Sequence, residues 1–306
     1  MADSTLAAIR KKVRRLTRTP SEQQLSNADI DEYINTFILY DLPQTIRLFS
    51  LRKTLTFYTD PNVDVYETNA IVGDPLENFE NKYTAVYTPI YVAGYEACLY
   101  QSEAGFYEAY PLTNNISTET TGNGVIVNFA GTLSNVPIVS NRVVFNSIDA
   151  NNNGLELHDD GLGVLSGDGV GTIDYITGAY TLAWTVAPAS GKNINSLTVP
   201  YTAARPDTVL YFNNKFTVRP IPDQVYPIQV EVDVRPNELL ATGTSPDLEQ
   251  WSQLISYGAA KKVFEDRGTL EDVQAILPEL KNQEILVLRR SNAQVSQNRT
   301  DTIYKD

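Results

Sequence analysis

The residues able to do chemistry are few in kind. His158 is the single histidine and Cys98 the single cysteine in 306 residues. A Ser-His-Asp or Cys-His relay would therefore have to run through His158, which sits in the Gly/Asn/Asp-rich stretch 149–171. Multi-histidine zinc sites and cysteine clusters are impossible within one chain, and so is an internal disulfide. No GxxxxGK(S/T) phosphate loop occurs. The glycine run at 161–171 fails as GxGxxG, because Ser166 takes the sixth position. An enzyme is the class least supported, and no cofactor is expected.

Asp149, Asn151 and Asn153, followed by Gly154, match the start of a calcium loop: oxygen ligands at positions 1, 3 and 5 with glycine at 6. Position 12 is Asp160 rather than a bidentate glutamate, so the match is incomplete. The alternative is a hairpin turn, a geometry that Asn, Asp and Gly favour. Asp159 and Asp160 could serve a glycosidase only across a cleft, and an exposed loop explains them better. Tyr175, Tyr180 and Trp184 could form a sugar platform. They also alternate along strands, as core residues would.

The one strong charge anomaly is residues 10–18, with six basic residues and no acid in a chain of net charge −13. On a helix, Val13 and Leu16 face inward while Arg10, Lys11, Arg14, Arg15 and Arg18 fan outward. Such a face suits an acidic partner surface or DNA phosphate. Otherwise it is a solvated helix face.

These residues need elements to position them. Leu6, Ile9, Val13 and Leu16 form an apolar stripe at helical spacing, starting near Ser4 or Thr5. Pro20 closes this helix. Ser26 caps a second helix carrying Ile30, Tyr33, Ile34, Phe37 and Ile38, which Pro43 ends. A short third helix covers 44–51. From Leu55 the period changes to two. Strands are expected at 53–59, 84–92, 106–110, 124–130, 142–148, 196–202, 208–212 and 228–234. Two more flank the Thr177-Gly178 turn within 171–184. Ser245 and Pro246 then open a helix with Leu248, Trp251, Leu254, Ile255 and Ala259 on one face. Gly258 and Ala259 allow close helix packing, and Gly268 ends the helix. A further helix carries Leu270, Val273, Ile276 and Leu277, and Pro278 kinks or restarts it.

The fold class is thus α+β. A helical bundle module is built from both chain ends, with a large antiparallel β insertion, sandwich or barrel-like. The expected parts are 1–52 (helical), 53–235 (β), 236–292 (helical) and 293–306 (an extended polar arm). With 42% apolar residues, the chain can bury a sizeable core. Its acidity opposes general nucleic-acid binding. No apolar run approaches the roughly 18 residues of a membrane span, so no membrane partner is expected.

Three stretches resemble a known family. Residues 5–49 (TLAAIRKKVRRLTRTPSEQQLSNADIDEYINTFILYDLPQTIRLF) look like the N-terminal helical part of neck proteins of tailed bacteriophages. Residues 245–268 (SPDLEQWSQLISYGAAKKVFEDRG) look like the closing helices of head-to-tail adaptors, also called connectors. Residues 171–184 (GTIDYITGAYTLAW) resemble strand motifs of phage tail and baseplate proteins. The β insertion exceeds that of compact helical adaptors. The resemblance implies a structural virion protein of the neck, made in the host cytoplasm. It implies a homo-oligomeric ring, a dodecamer in proteins of this kind, below the portal protein. The ring would pass double-stranded DNA without sequence specificity and dock the next neck or tail protein. A tail-completion or baseplate protein, or a carbohydrate-binding β protein, are the alternatives.

Overall fold

The computed structural model describes residues 3–46, 48–68, 72–247 and 249–296. Its helices are α1 Leu6–Leu16, α2 Asn27–Thr36, α3 Leu42–Thr45, α4 Phe79–Lys82, α5 Glu103–Ala109, α6 Ser252–Asp266 and α7 Leu270–Ser296. Its first seven strands are β1 Arg52–Tyr58, β2 Val65–Glu67, β3 Tyr83–Val92, β4 Tyr95–Tyr100, β5 Asn115–Thr121, β6 Asn128–Thr132 and β7 Val144–Ile148. The others are β8 Gly154–Asp159, β9 Val164–Gly167, β10 Gly169–Ile173, β11 Ala179–Trp184, β12 Asn193–Thr198, β13 Thr208–Phe212, β14 Lys215–Arg219 and β15 Pro227–Val234. The class is α+β with a β-rich insertion. One sheet, in the order β1-β15-β3-β4-β13-β14-β2, makes a half-barrel; the other, in the order β5-β12-β7-β8-β9-β10-β11-β6, is a nearly closed barrel. Among the described residues, no helix is long and apolar enough to cross a membrane.

The described residues fall into two compact units. One takes residues 1–55, 69–88 and 230–306; the other takes 56–68 and 89–229. The first unit is helical in its core. Leu6, Ile9 and Val13 of α1, Ile30 and Ile34 of α2, and Leu254, Ile255, Ala259 and Val263 of α6 share one buried cluster, with Leu280 and Val287 of α7. The stripes follow helical spacings of three, four or seven residues, with Leu254 and Ile255 side by side, so one face of each helix leaves water. Trp251 is buried in the same cluster. Gly258 lies against Phe37: a Cβ there would come within 2.3 Å of the ring. Phe37 itself opens a π-helical turn, Phe37–Asp41, that continues α2.

Several boundaries differ from expectation. Pro43 does not end the second helix: the chain runs on through the π-helical turn Phe37–Asp41 into α3, and Pro43 sits in the first turn of that segment. Pro246 does not start α6. A 3-10 turn at Glu249–Trp251 precedes Ser252, and Leu248 lies outside the described residues. Pro278 lies inside the continuous helix α7. The backbone of residues 293–296 belongs to α7 rather than to an arm, and 297–306 lie outside the described residues. Residues 106–110, expected as strand, belong mostly to α5, which Ser102 caps by accepting from the Gly105 N–H.

In the second unit the barrel is built by alternation. Burial along β8, β11 and β12 changes at every residue or nearly so, as a strand with one wet face requires. Phe145, Leu157, Leu165, Tyr180, Leu182, Trp184 and Ile194 fill its inside. An eight-stranded barrel is about wide enough for side chains alone. Not every pairing is antiparallel: β13 runs parallel to β4, with Thr208 opposite Cys98.

Gly258→Ala is expected to destabilise the helical unit by about 1–3 kcal/mol, since the added methyl overpacks Phe37. Thermal unfolding checks this, and a second variant adding Phe37→Leu should recover part of the loss.

Candidate interaction site

The basic residues of α1 do not act as one set. Thr5 caps α1 and accepts from the Ala8 N–H, which orients the helix so that Leu6, Ile9 and Val13 point into the core. Arg10 and Arg14 follow one another by a turn, and both are spent within the protein. Arg10 forms a two-pronged pair with Asp31, with Nε 2.6 Å from Oδ1. The Asp31 hydrogen bond holds the Arg10 guanidinium more firmly protonated than usual. Arg14 donates to the carbonyls of Ser21 (3.0 Å) and Leu25 (2.7 Å) and to Oδ1 of Asn27 (2.8 Å). It ties down the loop that leads into α2. The expectation that Arg10 and Arg14 fan outward is thus corrected, because unsatisfied loop carbonyls and Asp31 lie within their reach. Lys12 is also turned aside. It lies over the Tyr257 ring at 4.3 Å and donates to Gln253. Burial, then the adjacent Arg15 charge, push its amine below the ordinary lysine range.

Lys11, Arg15 and Arg18 are exposed. Lys11 and Arg15, one turn apart on α1, share a face, and Arg18 follows just beyond the helix end. No hydrogen bond or ion pair engages them among the described residues. With Ala7, Arg10, Arg14, Pro20 and Asn27 they line a concavity of about 710 Å³. Its lining combines the apolar Ala7 and Pro20 and the arginine stems with the cationic heads.

Arg18 adds a second observation. It has φ +56, the left-handed region that L-residues enter at a cost. It follows the C-cap Thr17, and the Thr19 N–H donates to the Arg14 carbonyl at 3.1 Å. That closing bond marks a Schellman turn, whose left-handed position usually holds glycine. Helix α6 ends in the same way, with Thr269 donating to Phe264 at 3.1 Å, and there the residue is Gly268 at φ +69. One chain thus builds one motif twice, once with glycine and once with arginine held in strain. Strain of this kind gathers at functional positions.

The incomplete calcium loop is corrected. Asp149 and Asp160 lie at opposite ends of β8, roughly 20 Å apart at strand rise. Asp149 accepts from the N–H groups of Asn151 and Asn153 (2.8 Å each) and from the Asn153 side chain (2.9 Å). Asp160 accepts from Leu162 and Val164 in its own turn. Both carboxylates close hairpins, as does Asp174 with Ile176 and Thr177. Asp159 is buried and accepts from Asn141, Gly161 and the Tyr175 hydroxyl. Tyr180 and Trp184 lie inside the barrel, which removes the sugar platform. His158 stands exposed on β8, 3.2 Å from Glu156 and across the strand from Ser166. No hydrogen bond joins His158 to Ser166 among the described residues.

Neither a family model nor a curated protein matches the chain.

Two outcomes are expected. Arg18→Gly should stabilise the protein by about 0.5–1 kcal/mol by relieving left-handed strain, whereas Arg14→Ala should destabilise it by about 1–3 kcal/mol through orphaned carbonyls. Chemical denaturation of both variants checks the opposite signs. The second outcome concerns pH. Hydrogen bonds, from Asn153 foremost, hold the Asp149 carboxyl below its usual value, and the Thr177 and Ile176 N–H groups do the same at Asp174. A group depressed on folding stabilises above its unfolded value, about 3.9, and loses that contribution as pH falls through the lower folded value. Acid unfolding of Asp149→Asn/Asp174→Asn should therefore show a shallower acid limb than the parent. An unchanged limb would contradict this.

Proposed function

We propose that the protein is a structural assembly component of a tailed-bacteriophage virion, a head-to-tail adaptor whose copies form a ring beneath the portal. One observation carries the reading: the helical unit made from both chain ends bears a concave cationic face with three unengaged side chains, one of them strained. A face built at the expense of helix-end stability is suited to docking. Around it the chain is acidic, at net charge −13. An acidic channel wall would repel DNA phosphate and let the duplex slide without sticking. The β unit would then present a surface to the next neck or tail protein. Most of its carboxylates described above are occupied by turn N–H groups, so they serve the fold. The same features suit a tail-completion or baseplate protein, which differs in its neighbours.

The test is assembly with the cognate portal, followed by negative-stain electron microscopy. The polar C-terminal segment would reach the portal or a neighbouring subunit, so the full chain should form rings on portal, and a chain lacking residues 297–306 should keep its melting temperature and lose capture. Normal capture by the shortened chain would remove the docking role of that segment. Absence of any portal complex from the full chain would remove the adaptor reading.

A further inference from the structure

We propose that the concavity lined by Lys11, Arg15 and Arg18 is the receiving half of a head-to-tail contact between copies of this chain, and that the inserted half is the corner between α6 and α7. This deepens the adaptor reading and rests on its self-assembly alone. The corner carries Leu270, 73% exposed, beside the exposed acids Glu271 and Asp272. No hydrogen bond or ion pair engages these two carboxylates among the described residues. The two surfaces match in kind. One offers an apolar knob followed by two carboxylates; the other is a concavity lined by apolar groups and three free cations.

None of the corner's residues lines the concavity of its own chain, although Leu16 of α1 packs against the cluster that holds Val273 and Ile276 of α7; the proposed match is made between copies. Two different patches that meet form a heterologous interface, which closes into a ring or runs on as a filament. Net charge adds a reason for the choice of partner. Copies at −13 repel each other, so they associate where unlike charges are placed opposite. Residues 10–18 are the densest basic run in the chain. DNA is the less favoured occupant. Asp31 is paired with Arg10 within the site, and Glu22 contacts Asn27 on its lining. The exposed Glu22 carboxylate and the chain's net charge of −13 oppose a phosphodiester backbone, whereas a protein corner can place its two acids away from Glu22.

The strained Arg18 fits the same scheme. Glycine there would serve the helix end better, as it does at Gly268, but would remove one of three cations from the contact.

Sedimentation velocity of the full chain over a range of concentrations tests the proposal through charge reversal. Lys11→Glu/Arg15→Glu and Glu271→Lys/Asp272→Lys should each weaken self-association about hundredfold, through like charges placed face to face. Mixing the two variants, or combining all four substitutions in one chain, should restore it. Arg18→Gly should weaken association while raising the melting temperature, a pairing that a purely structural side chain would not give. Unchanged association in either reversed variant, no restoration in the combined chain, or a parent chain that stays monomeric throughout would overturn the proposal. So would duplex DNA binding that the Lys11→Glu/Arg15→Glu variant loses while self-association is untouched. Failure to bind portal, with self-association responding as expected, would sink the adaptor reading and leave this contact standing.

Discussion

The shared apolar core of the two chain ends is the constraint on which the helical unit depends. Residues near position 10 and residues near position 260 bury their stripes in one cluster, and Phe37 lies directly on the Gly258 backbone. The intervening β chain is long, yet closure entropy grows only as the logarithm of length, about 0.6 kcal/mol for each doubling. A large insertion is therefore tolerable so long as the helix faces fit. The fit also sets what is left over. Once Leu6, Ile9 and Val13 turn inward, the opposite side of α1 must face water, and it is there that the cations stand.

Charge is sorted by the same logic. In the barrel, Asp149, Asp160 and Asp174 each accept hairpin N–H groups, which converts an acidic composition into turn geometry. In the helical unit, Arg10 and Arg14 are consumed by Asp31 and by loop carbonyls. Other exposed charges of the helical unit, Glu32, Lys53 and Lys281 among them, engage no ion pair either among the described residues; Lys11, Arg15 and Arg18 are set apart by lining one concavity, and Glu271 and Asp272 by flanking the exposed Leu270. Stability accounts for the ionic groups that are engaged, and the proposed contact between copies would use Lys11, Arg15, Arg18, Glu271 and Asp272. Arg18 shows the two demands in conflict at one residue.

Much of the helical unit was legible in the residues. Ser26 reads as an N-cap with an acid, Asp29, in the first turn; the structure adds that Asp29 answers back to the Ser26 N–H, completing a capping box. Gly268 reads as a helix end and is one. The alternation of residues 228–234 reads as strand, and β15 occupies that place. The basic face was legible as a face, but its division was not. The inward turn of Arg14 depends on where the loop after α1 places its carbonyls, and nothing in the run of basic residues states that. Nor does sequence announce a left-handed arginine, because glycine and asparagine are the residues that signal such a backbone, as Gly268 and Asn152 do here. Helix α5 was missed because Phe106, Tyr107 and Tyr110 are strand-prone types; the signal that could have found it is Ser102 at the cap. The parallel pairing of β4 with β13 joins segments more than a hundred residues apart, beyond any local pattern.

An electron cryomicroscopy map of the assembled protein tests the central claim most directly. Lys11, Arg15 and Arg18 of one copy are expected within ion-pair distance of Glu271 and Asp272 of the next, with Leu270 seated over Ala7 and Pro20. A map in which that cationic concavity faces open solvent, or lies against duplex DNA, would contradict it.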